Sequence, residues 1–142
     1  MKYLLDTCVL SELNQLEPNP NVNACLDRLP RANLFISTIT IGEITKGVHM
    51  LEEGRKRHGL ERWLEALETD YEGRILPVTV DISRLWGELL ANAKKQGIGL
   101  PVVDGLIAAT AIHHGMHVVT RNVIDFMATG VLITNPWEEW KN

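Results

Sequence analysis

Asp6, Glu43, Asp104 and Asp125 are the residues of this chain whose type and setting suit chemistry. Asp104 is the most informative. It is the only charged residue of LPVVDGLIAATAI (100–112), and its neighbours at helical spacing are Leu100, Ile107 and Ala108. An ionised carboxylate without a partner on such an apolar surface is costly. It asks for a cation, a cap interaction or exposure in a cleft. Its simpler role is to favour a helix N-terminus through the macrodipole, worth about 0.3–1 kcal/mol. Glu43 is the only acid from Leu34 to Leu51, amid Ile39, Ile41 and Ile44. Its simpler role is a solvated helix face with Lys46 as partner. Asp6 and Asp125 each have a capping role available, Asp125 for a short turn at Phe126–Thr129. Taken together, hard oxygen donors with no nearby Cys/His set select Mg²⁺ or Mn²⁺ over Zn²⁺. The matching chemistry is phosphodiester hydrolysis by in-line attack of a metal-activated water. Without a cation the carboxylates repel one another and a phosphate alike, so metal dependence is expected.

These acids act together only if the elements around them share an edge. Lys2–Leu5 reads as a buried strand running into Asp6, and Thr7–Asn14 as a short helix. Pro18, Asn19, Pro20 and Asn21 mark a loop before a helix near Asn23–Leu29. Leu34–Ser37 is a second strand, after which Thr38 caps a helix from about Ile39 to Arg57. Glu61–Glu72 is helical, and Ile75–Val78 is a third strand. Asp81–Gln96 is amphipathic through Ile82, Leu85, Trp86, Leu89 and Leu90, and Gly97 stops it. Pro101 suits the first turn of a helix ending near Gly115. His117–Thr120 and Val131–Thr134 complete five strands. Strands alternating with helices define an α/β class with a mostly parallel sheet. The site of such a sheet lies outside the carboxyl ends of its strands. Asp6 directly follows the first strand. Glu43 lies early on the helix after the second. Asp104 lies in the first turns of the helix before the fourth, and Asp125 just after that strand.

The whole chain supports one domain. It has 142 residues, 45% hydrophobic and 23% charged, enough for a full core without staples. Its two cysteines, Cys8 and Cys25, make neither a disulfide framework nor a zinc quartet, which fits a reduced, cytoplasmic protein. No apolar run reaches the length of a membrane span, and Asp6 arrives too early for a signal-peptide core. A net charge of −4 argues against a protein that coats nucleic acid with basic surface. It does not exclude an enzyme that meets phosphate through metal ions, which bring positive charge of their own.

YLLDTCVLSEL (3–13), ISTITIGEITKG (36–47), LPVVDGLIAATAIHHG (100–115) and VVTRNVIDF (118–126) resemble, in order and spacing, the four blocks of PIN-domain ribonucleases. The nearest resemblance is to the VapC toxins of prokaryotic type II toxin–antitoxin modules, and the ending ITNPWEEW is similar to that of VapC and FitB proteins. The resemblance spans essentially the whole chain, and implies a single PIN domain over residues 1–142. It implies that Asp6, Glu43, Asp104 and Asp125 hold Mg²⁺ or Mn²⁺ for RNA cleavage, with Thr7, Thr120 and Asn122 as accompanying polar positions. It further implies a VapB-like antitoxin that binds operator DNA on the module's behalf, a homodimer, and a larger assembly with the antitoxin. Two positions depart from the family's pattern. Cys8 stands where many members carry Asn or another small polar residue, and a buried inert thiol is expected there. Gly105 stands where Ala or Ser is usual, and is expected to loosen its helix turn.

Other readings compete. A non-catalytic PIN-fold module for binding nucleic acid or protein is the alternative function. A haloacid-dehalogenase-type phosphatase needs a second Asp where Cys8 stands. A phosphoacceptor receiver domain needs an Asp directly after the third strand and a later Lys; here Thr79 follows that strand with Asp81 inside a helix start, and Thr120 after the fourth strand has no convincing Lys partner. The segment from Lys46 to Arg62 is net positive in an acidic protein, and either guides an RNA backbone or forms a solvated helix face. His113, His114 and His117 flank a helix end, where such groups suit the local dipole better than a transition metal. Trp137 and Trp140 are expected to pack the tail onto the body, and Trp63 and Trp86 to lie in the core or an interface.

Overall fold

The computed structural model describes residues 1–138. Five strands lie in the order β3-β2-β1-β4-β5: β1 Tyr3–Leu5, β2 Leu34–Ser37, β3 Ile75–Leu76, β4 His117–Val119 and β5 Ile133–Thr134. Every pairing is parallel, as in Leu4 against Phe35 and Val118. The helices of the described residues are α1 Thr7–Leu13, α2 Pro20–Asp27, α3 Thr38–His49, α4 Arg55–Asp70, α5 Val80–Lys95, α6 Val102–His114 and α7 Val123–Met127. A short 3₁₀ turn over Arg31–Asn33 leads into β2.

The period-two alternation of the strands divides the core between the two faces. Leu5, Ile36 and Val119 join Val9, Val22, Ile44, Val48 and Leu67 in one cluster, which covers α1 to α4. Leu4 and Val118 join Ile107, Ala108, Ala111 and Phe126 in the other, on the α6 side. Leu4, Leu5, Ile36, Ile107, Val118 and Phe126 are wholly buried, and burying a side chain of this size is worth roughly 1.5–3 kcal/mol.

Several boundaries differ from expectation for local reasons. Asn19 caps α2 by accepting from the Asn21 N–H at 2.8 Å, with Pro20 at the first helical position, so this helix starts earlier than Asn23. Ser37, one residue before the expected Thr38, caps α3 by accepting from the Ile39 N–H at 3.0 Å. The expected single helix to Arg57 breaks after His49, and α4 begins at Arg55 rather than Glu61. Arg57 staples this corner. It bonds Glu61 Oε1 at 2.9 Å on its own helix and reaches back to His49 Nδ1 at 3.0 Å. Pro101 occupies the cap position of α6 rather than its first turn. Gly115, at φ +67, closes α6 in the left-handed conformation that glycine tolerates best. Trp137 packs against the first core cluster and beneath Arg121, while Trp140 lies outside the described residues.

Gly105 does not loosen α6. The helix runs through it, and the space of the missing side chain is filled by Trp86 on α5. A Cβ at Gly105 would stand 3.0 Å from the Trp86 Cδ1. The Trp86 indole nitrogen is buried there with no hydrogen-bond partner among the described residues. The Gly105→Ala variant should therefore lose roughly 1–3 kcal/mol to overpacking, against a helix-propensity gain of at most about 1 kcal/mol. Urea denaturation of Gly105→Ala, Trp86→Leu and the double variant reads this contact. Gly105→Ala should be destabilising in the Trp86 background and neutral or stabilising beside Leu.

Candidate active site

In a parallel sheet all carboxyl ends lie at one edge. β1 delivers Asp6 there, β2 delivers Ser37 and the start of α3, and β4 delivers Thr120. The first turn of α6 reaches the same edge because that helix runs back across the sheet before β4. Asp104 is in this first turn, and Asp125 is in the first turn of α7.

Asp6 is 3% exposed and sits on the β1–α1 junction. Its Oδ1 accepts from the Thr7 N–H at 2.9 Å, and its Oδ2 from the Thr120 hydroxyl at 2.8 Å. Burial nevertheless pushes its carboxyl above the usual range, outweighing the hydrogen bonds from Thr120 and Thr7 that lower it. The Thr120 hydroxyl also accepts from the Asn122 N–H at 3.0 Å, so Asn122 enters the network through its backbone. Its side chain makes no cap bond to α7. Glu43 takes the Thr7 hydroxyl on Oε1 at 2.6 Å rather than an ion pair with Lys46, among the described residues.

Asp104 is half-buried, and its carboxyl is pushed up to about 6. Burial is the largest cause, followed by the negative charges of Asp6, Asp125 and Glu43, and a hydrogen bond shared with Asp125. The charges of the other three sequence-predicted carboxylates thus all reach Asp104. Asp125 is exposed within α7 and caps no turn at Phe126–Thr129. Thr7 and Thr120 serve as hydroxyl struts for Glu43 and Asp6.

Cys8 belongs to this site in a way its position alone did not announce. Its Sγ lies 3.7 Å from Asp6 Oδ2 and 3.6 Å from the Thr120 hydroxyl. Burial, above all, raises its pKa, and the Asp6 charge works in the same direction, so the thiol is held in its unreactive form. The histidines lie elsewhere. His117, at the opposite end of β4, pairs with the Thr134 hydroxyl, and His113 packs edge-on against His114.

The donor chemistry fits a hard divalent cation: carboxylate oxygens whose negative charges reach one another at Asp104. Among the described residues no three Asp, Glu, His or Cys side chains close on a single point. Mg²⁺ takes only one or two carboxylates directly and keeps several waters, so it does not require such a cage.

A profile of the PIN domain matches residues 3–126. The chain belongs to the PIN-domain family. Within it, the chain is 40% identical to the VapC ribonuclease Y4jK of Sinorhizobium fredii, over 95% of this chain and 97% of that protein. It is 37% identical to Toxin FitB of Neisseria gonorrhoeae, over 96% and 99% respectively. Its fold superposes on a chain of the solved structure of FitAB bound to an IR36 DNA fragment with a TM-score of 0.91, at 36% identity and 98% coverage of each chain.

The shifted carboxyl makes a stability prediction. A folded-state value of about 6 against an ordinary 3.8 means that this contribution is fully present below 3.8 and is lost as pH rises through about 6. Thermal melts in EDTA should show the wild type falling behind the Asp104→Asn variant across that window. A gap independent of pH would remove the repulsion from the account.

Proposed function

We propose that the protein is a metal-dependent endoribonuclease, the toxin of a type II toxin–antitoxin module. The observation that carries this reading is the meeting of four acids at the carboxyl edge of the parallel sheet, where the charges of Asp6, Glu43 and Asp125 reach a half-buried Asp104. The four carboxylates hold Mg²⁺ or Mn²⁺, directly or through water. When bound, the ion supplies charge for the scissile phosphate and lowers the pKa of the water that attacks phosphorus. Thr120 keeps Asp6 oriented, Thr7 keeps Glu43 oriented, and the Asn122 N–H fixes the Thr120 hydroxyl so that its proton points to Asp6.

The near full-length similarity to a VapC ribonuclease and to FitB supports the ribonuclease and toxin reading. The fold match to a FitAB complex bound to DNA supports an antitoxin partner of the VapB or FitA kind, with DNA reached through that partner. The assembly we propose is cytoplasmic, a toxin homodimer enlarged by antitoxin, and RNA cleavage by the free toxin arrests translation or growth. No helix of the described residues is long and apolar enough to cross a membrane.

Total cellular RNA incubated with antitoxin-free protein tests the activity. Discrete fragments should form with Mg²⁺ or Mn²⁺ and vanish in EDTA. The Asp104→Asn variant should lose more than the roughly 10–100-fold that removing a supporting partner costs, and Thr120→Val should fall within that range. Addition of Mn²⁺ should raise the melting temperature of the wild type and leave that of Asp104→Asn nearly unmoved. Equal fragmentation in EDTA, or by Asp104→Asn, would contradict the assignment.

A further inference from the structure

A cavity of about 260 Å³ opens beside the carboxylates on the Glu43 side. Thr7 and Glu43 form its inner end, joined by their 2.6 Å hydrogen bond. One wall is polar: Thr7 and Ser11 on α1, its C-cap Asn14, and Gln15 just beyond. Its other wall includes Val48 at the end of α3 and Leu60 and Trp63 on α4. Trp63 is half-buried, while Ser11, Asn14 and Gln15 are exposed. The volume is below the roughly 300–1,000 Å³ of sites that enclose a drug-sized ligand, which leaves room for one ring system.

We propose that this cavity takes one nucleobase of the RNA substrate, the base of a nucleotide flanking the scissile phosphate. The inference rests on the ribonuclease reading and deepens it. Three observations select an unpaired base. Glu43, one of the four acids, lines the cavity beside Thr7, so a nucleotide seated in it lies next to the carboxylate cluster. Its lining combines an aromatic ring with amide and hydroxyl groups, the combination that holds a flat heterocycle by stacking and by hydrogen bonds to its edge. Its α3–α4 wall belongs to the net-positive segment from Lys46 to Arg62. Lys46 and Arg62, both exposed, stand next in sequence to the lining residues Gly47 and Trp63. Arg57, by contrast, is occupied by Glu61 and His49 and shapes the corner rather than meeting RNA. Exposed cations on the helices that form this wall suit the backbone of the same nucleotide segment. Trp63 is thus a substrate-positioning residue, and Asn14 and Gln15 set which base is preferred.

The test uses an oligoribonucleotide spanning a cut site mapped from total RNA, together with copies carrying one abasic ribose at each flanking position. At a single position, loss of the base should lower the wild-type kcat/KM about tenfold, chiefly through KM, since base–aromatic stacking has effects of that order. The Trp63→Leu variant should lose a similar factor on the intact oligonucleotide and no longer respond to the abasic ribose at that position. Because Trp63 also touches the core, exposed-residue variants supply the second measurement. Asn14→Ala and Gln15→Ala should change the base preferred at that position without changing the melting temperature. If every abasic copy is cut like the intact one, or if Trp63→Leu retains the wild-type response, the proposal is overturned. Variants that cut normally but escape inhibition by the antitoxin would also overturn it, and assign the cavity to the protein partner. Absence of metal-dependent cleavage by the wild type is a different failure, which removes the nuclease reading itself and this inference with it.

Discussion

The Thr120 hydroxyl donates to Asp6 across the junction of two neighbouring strands, and much of the molecule is arranged around that bond. A carboxylate only 3% exposed must be given donors. A cation would supply them and also cancel the charge. Here the donors are neutral: the Thr7 N–H and the Thr120 hydroxyl. The hydroxyl of Thr7 does the same for Glu43. Orientation is thereby separated from neutralisation. The acids are held in place while their charge stays available, and the backbone around Thr120 and Asn122 starts the short helix that presents Asp125.

The strands and their acids were legible in the sequence because their signals are local. Leu4 and Leu5 lead into Asp6, Ile36 into Ser37, and Val118 and Val119 into Thr120, and each pair divides between the two faces of the sheet. Asp104 stood out because apolar residues surround it for a full turn on either side. What local signals could not carry was partnership at a distance. Glu43 had Lys46 within easy reach, yet its hydrogen bond comes from Thr7, 36 residues earlier. Gly105 looked like a weak helix residue until Trp86 was seen to occupy its empty side. The helix over Ile39–Arg57 was overdrawn because apolar periodicity does not register a corner held by one arginine. At the cap of α3, Ser37 and Thr38 are equally good candidates by type, and only the end of β2 and its pairing decide between them.

That arginine also explains why α3 and α4 behave as one wall. Arg57 ties the first turn of α4 to the last turn of α3 through His49, and its salt bridge to Glu61 fixes the guanidinium. The helices meet beside Trp63, which packs on the same core cluster as Leu5, Ile44 and Val119. A wall packed on the core next to an open row of acids is a sound way to place an extended ligand, because a preorganised scaffold lowers the ordering entropy of binding.

The strands are short throughout, three or four residues in the middle of the sheet and fewer at its margins. β3 and β5, the outermost strands, have two residues each. An edge of two residues exposes few free N–H and C=O groups, too few to template a neighbouring strand. Chains of this protein accumulating without a partner are therefore guarded against edge-to-edge stacking into aggregates, and any ordered association between copies has to be built from helical faces and loops.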